Sequence, residues 1–71
     1  MLMTQRELSQ FSISLYGSDS EIITQLTCSY PNTLDDYQLR KLINDNVSYL
    51  INAYSNEEIV RVVTECDRYK K

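Results

Sequence analysis

Histidine and tryptophan are missing from this 71-residue chain, glycine and proline occur once each, and cysteine twice. Each shortage excludes something. Without histidine there is no imidazole base to activate a serine or cysteine nucleophile. One glycine, Gly17, cannot build a loop that cradles phosphates. Cys28 and Cys66 lie far apart with no C-x-x-C spacing, so they form no zinc site and read as free thiols of a reducing compartment. No apolar run approaches the roughly 20 residues that span a membrane. Met1-Leu2-Met3 gives way at once to Thr4-Gln5-Arg6-Glu7, which is not a secretory signal, so a cytoplasmic location is expected. The paired carboxylates Asp35-Asp36 and Glu57-Glu58 are accounted for by helix starts, and no EF-hand spacing occurs. An enzyme, a metal and a cofactor are therefore not expected.

What the chain does have is an alternating stretch, an amphipathic stripe, six tyrosines and an excess of acid. Residues 1–71 are read as a single domain. A chain this short buries only about 60% of the surface it exposes when unfolded, so docking or self-association is a natural way to cover apolar surface. Tyrosine pairs a large ring with a polar tip, which suits a surface that is wet alone and buried in a complex.

Phe11, Ile13 and Leu15 alternate with Ser12, Ser14 and Tyr16; after Gly17-Ser18-Asp19-Ser20, residues Ile22, Thr24, Leu26, Cys28 and Tyr30 share one face. A period of two on both sides of a Gly/Ser/Asp turn predicts a hairpin over 11–16 and 21–30. Pro31 and Asn32 end it, because proline cannot donate to a ladder. Residues 4–9 form either a short helix or an extended arm anchored by Leu8.

Thr33 reads as an N-cap, with Asp35 and Asp36 at the positive end of the helix dipole. Leu39, Leu42, Ile43, Val47, Leu50, Ile51 and Tyr54 then follow the spacing of one buried stripe, predicting a helix over 34–54. Ser55-Asn56-Glu57-Glu58 is an S-x-x-E capping box, and Ile59, Val62, Val63 and Cys66 continue at helical spacing, predicting a second helix over 56–69. The expected fold class is α+β: a small antiparallel sheet packed against two C-terminal helices. Two strands alone are weak. A third comes either from a short segment near 32–36 or from pairing across a dimer.

The formal charge is −3. Asp19, Glu21, Asp35, Asp36, Asp45, Glu57 and Glu58 dominate the middle of the chain, while Arg61, Arg68, Lys70 and Lys71 reverse the sign at its end. A second helix carrying Glu57, Glu58, Glu65 and Asp67 would be repelled by phosphate, which argues against a helix-turn-helix reader and against direct nucleic-acid binding. The acids suit a basic protein surface. They equally suit plain solvation of a small domain.

Leu15, Gly17, Asp19, Ser20, Ile23, Thr24, Gln25 and Leu26 match, without a gap, the first hairpin of a phage-encoded anti-CRISPR family. The stretch resembles small acidic inhibitors of type II-A RNA-guided nucleases of the Listeria-prophage kind, over about a third of the chain. The resemblance implies three antiparallel strands flanked by helices, two of them C-terminal. It also implies a DNA mimic that occupies the PAM-reading region of the nuclease in a bacterial host. The family's acidic loop between its second and third strands has no match here, where Pro31 to Asp36 stand instead. No inhibitory contact carries over by motif. The candidate partner-binding residues are Asp19, Glu21, Asp35, Asp36, Asp45, Glu57 and Glu58 by charge, with Tyr16, Tyr30 and Tyr37 as anchors. The other reading is a small accessory or regulatory protein-interaction module, monomeric or homodimeric.

Overall fold

A computed structural model describes residues 8–69. Strand β1 (Leu8–Tyr16) pairs with β2 (Ile22–Pro31), helix α1 (Asp36–Ala53) follows, and β3 (Arg61–Cys66) runs into a 3-10 turn, Asp67–Tyr69. The sheet order is β2-β1-β3, so β1 is central. Both partners are antiparallel to it, with Phe11 opposite Cys28 on one side and Cys66 on the other. β2 and β3 are thus parallel to each other, and α1 is the crossover that such a pair requires.

The hairpin is longer than the alternation alone predicts, and its turn works differently. Gly17 N–H donates to Glu21 C=O (2.9 Å) and Ser20 N–H donates to Gly17 C=O (3.0 Å). The loop is Ser18-Asp19-Ser20, and its left-handed residue is Ser20 (φ 65°), while Gly17 has no positive φ. That is the three-residue hairpin loop whose last residue sits in the left-handed region. The register then shifts: Leu15 faces Thr24 but Tyr16 faces Ile22. The shift leaves Ile22 exposed and packs Ile23 against the core instead. The extra residue is a bulge beside the turn.

Phe11, Ile13 and Leu15 from β1, Tyr30 from β2, and Leu39 and Leu50 from α1 form the buried core. Leu42, Ile43, Val47 and Tyr54 pack partly buried around it, whereas Ile51 of the same stripe is exposed. α1 starts two residues later than predicted. Its cap is Asp35, whose side chain accepts from Gln38 N–H at 2.7 Å, and not Thr33. Pro31 is the last residue of β2, opposite Leu8. Leu8 and Ser9 belong to β1, so the alternative of a short helix over 4–9 fails there; residues 4–7 lie outside the described residues.

The predicted second helix over 56–69 is the main correction. The chain turns at 54–57, runs extended, and enters β3. Two C-terminal helices are therefore replaced by one helix and a strand, and the third strand is 61–66, not a segment near 32–36. The reason lies in the side chains. Ile59, Val60, Val62, Val63 and Thr64 are all β-branched, stiff in a helix and at home on a pleated surface. The central strand also needs a second partner. β1 buries Phe11, Ile13 and Leu15 on one face, and without β3 its other edge would stay unpaired beside them. The Ser55-to-Glu58 capping pattern is thus present in a segment that starts no helix.

Candidate functional site

The predicted acidic residues divide between two ends of the sheet. At the first end, Asp19 and Glu21 stand exposed on the β1–β2 loop. Glu57 and Glu58 reach the same place from the other side of the chain. Glu58 C=O lies 3.7 Å from where a side chain on Gly17 would begin, and Val60 N–H donates to Tyr16 C=O at 2.9 Å. Pairing of β3 with β1 is what brings these two segments together. Arg61 is the basic residue at this end, and its guanidinium lies 4.5 Å from the centre of the Tyr16 ring, a cation–π contact. Four carboxylates against one guanidinium leave this pole acidic. Among the described residues, none of the four has an ion-pair partner.

The second end uses its acids internally. Asp35 caps α1. Asp36 binds Arg68 (3.1 Å) and accepts from the Tyr69 hydroxyl (3.3 Å). The hydrogen bond to Asp36 raises the Arg68 pKa above its ordinary value. Arg68 also donates to Asn32 C=O at 3.2 Å, Ser9 Oγ donates to Asn32 Oδ1, and Gln10 N–H donates to the Asp67 carboxylate at 3.2 Å. The 3-10 turn thereby ties together the starts of β1 and α1 and the end of β2. The helix predicted over 56–69 puts Asp67, Arg68 and Tyr69 in a helical tail, whereas they form the 3-10 turn. Their role follows only once β3 is a strand, because it delivers them to this corner.

Asp45 is exposed on the middle of α1. Of the tyrosines, Tyr37 is 77% exposed and is a free ring at the start of α1. Tyr16 is half-buried under Arg61. Tyr30 is 1% exposed and belongs to the core, so it presents no area to a partner in this conformation. Its ring lies 6.1 Å from that of Phe11, and Arg68 lies 5.6 Å from its centre. Its hydroxyl meets Cys66 Sγ at 3.3 Å. Burial above all, and then the contact with Cys66, push the Tyr30 phenol above its usual range. Tyr49, absent from the sequence candidates, is 68% exposed; its position off the apolar stripe was the available signal.

Depressions also mark the surface of the described residues. One, of about 410 Å³, runs between α1 and β3 and is lined by Arg40, Ile43, Asn44, Thr64, Cys66 and Tyr69. Another is lined by Gln10, Ser12, Gln25, Thr27, Glu65 and Asp67 together with Phe11 and Cys66. Among the described residues no three His, Cys, Asp or Glu side chains gather as metal ligands, and no helix is long and apolar enough to cross a membrane. No protein-family model, curated protein or solved structure matches this chain.

Proposed function

We propose that this chain is a non-catalytic inhibitor that docks its acidic hairpin pole on a basic DNA-reading protein surface, that of a type II CRISPR effector nuclease in the bacterial cytoplasm. The observation that carries the reading is that pairing of β3 with β1 brings the segment of Glu57 and Glu58 to the end of the sheet where the loop of Asp19 and Glu21 stands. The pole sits on the same segment, Leu15 to Leu26, that resembles the anti-CRISPR hairpin. A PAM-reading channel presents arginines arranged for guanine edges and phosphates, and unpaired carboxylates on a rigid turn compete for them. Tyr16, beside the pole, supplies ring area beyond the charges. Inhibition of this kind is stoichiometric and weakens with salt.

The test is DNA cleavage by guide-loaded type II nucleases titrated with the protein. Inhibition near equimolar ratio is expected. A variant carrying Asp19→Asn, Glu21→Gln, Glu57→Gln and Glu58→Gln loses it, while Asp45→Asn retains it. Undiminished cleavage at large excess across several orthologues refutes the proposal.

A further inference from the structure

β3 is an edge strand whose outer side pairs with no other strand among the described residues. Its side chains are also poorly covered. In register with Ile13 and Leu15, Thr64 and Val62 lie on the face that carries the core, yet both are exposed, Val62 by 37%. Val60, just before the strand, is 56% exposed. α1 covers β1 and β2 and leaves the groove beside β3 open, with Ile43 on its helix wall. Edges of this kind are ordinarily blunted by charge or by proline. β3 has no proline, and its charges are one of each sign; it reads Arg-Val-Val-Thr-Glu-Cys.

Those six residues are complementary to themselves. An antiparallel pair of β3 strands with its two-fold axis on Val63 sets Arg61 opposite Glu65 of the second copy, and Glu65 opposite Arg61. Val62 then faces Thr64, and Val63 faces Val63. Arg61, Val63 and Glu65 share the sheet face away from α1, so both ion pairs lie on the same side; both charged residues are exposed, and Arg61 shares its guanidinium with the Tyr16 ring. Opposite charges directly across an antiparallel pair stabilise it, and like charges there oppose it. The other edge, β2, carries no charged residue at all and therefore has nothing of this kind to select a register.

We infer that β3 pairs with the β3 of a second copy about Val63, joining two three-stranded sheets into one of six strands through two Arg61–Glu65 pairs. The inference does not depend on the proposed target, although Arg61 stands at the edge of the acidic pole. The contact is one short strand of about 20 Å with its flanking apolar groups, which places it at the small, reversible end of protein interfaces.

Sedimentation of the chain alone, from low micromolar to about 1 mM, tests it, since a dimer with a Kd near 0.1 mM already dominates at the upper end. Wild-type protein is expected to shift from monomer to dimer. Arg61→Glu and Glu65→Arg each weaken the dimer about tenfold or more, by setting like charges across the axis twice over. The double variant Arg61→Glu/Glu65→Arg regains it, which a merely structural role of either residue does not predict. Circular dichroism establishes that each exposed variant is folded. A monomer at every concentration overturns the inference. So does a dimer indifferent to both single variants, which would be joined by β2 or by another face, and so does failure of the double variant to recover.

Discussion

Ser20 holds the left-handed corner of the hairpin loop that the chain's single glycine does not, and this can be turned against the structure. At φ 65° an L-residue other than glycine carries a cost of about 1–2 kcal/mol from its Cβ against the following carbonyl. Ser20→Gly removes that cost and returns about 0.4–1 kcal/mol through the greater freedom of the unfolded chain. The net is a stabilisation of about 0.5–1 kcal/mol. For a domain of this size that raises the melting temperature by about 3–6 °C. Gly17 behaves oppositely. A Cβ there meets Ile23 at 3.6 Å and Glu58 C=O at 3.7 Å, both ordinary van der Waals distances, and no positive φ demands glycine. Gly17→Ala is therefore neutral or gains a few tenths of a kcal/mol, about the low end of what a compatible Gly→Ala change yields. Thermal and urea unfolding followed by circular dichroism read both variants. A loss of more than about 1 kcal/mol in Gly17→Ala, with no gain in Ser20→Gly, would show that the loop is built around Gly17 and that the left-handed assignment is wrong.

Three further outcomes follow from the packing and the caps. Asp35→Ala costs about 1 kcal/mol by removing the acceptor for Gln38 N–H, while Thr33→Ala stays within about 0.5 kcal/mol; paired urea titrations separate the two. Leu39→Ala, at a fully buried position between α1 and the sheet, costs about 2–5 kcal/mol and leaves much of the protein unfolded at 37 °C, read as loss of the cooperative thermal transition. The difference in ultraviolet titration between wild type and Tyr30→Phe has its midpoint above pH 10, because burial and Cys66 disfavour the phenolate. The sign for stability is fixed by the same shift. Tyr30's contribution is fully present below pH 10 and is lost as pH rises through its higher folded-state pKa, so Tyr30→Phe flattens the fall in stability on the alkaline side.

The hairpin and α1 were legible because each has one period and nothing competing with it. Phe11-Ile13-Leu15 fits only a strand, and Leu39 to Tyr54 fits only a helix. Residues 59–66 fit both: Ile59, Val62, Val63 and Cys66 trace a helical stripe, and Val60, Val62, Thr64 and Cys66 trace a strand face. The S-x-x-E signal tipped the reading toward helix, while the density of β-branched residues pointed the other way. The unpaired edge of β1 sided with the strand, and no local window contains that edge. The bulge at Tyr16 was equally invisible, since shifting one residue exchanges Ile22 for Ile23 without altering composition. The acidic pole shared this fate. Asp19 and Glu21 were evident as turn residues, but Glu57 and Glu58 join them only because β3 returns to β1.

That β1 is central, while the strand completing it comes last, has a consequence for synthesis. Residues 8–53 are synthesised before residues 61–66, so the edge of β1 beside Phe11, Ile13 and Leu15 has no β3 to pair with until translation has passed Cys66. The final step is closure by a six-residue segment from nearly the other end of the chain, a slow kind of contact to make. A truncated product ending before Arg61 would display that edge permanently and recruit strands from its neighbours. The same gap makes β3 a separable part. A synthetic peptide spanning residues 58–69, added in trans to the truncated chain, would restore the sheet as a guest strand in the way that strand-donating chaperones complete their clients.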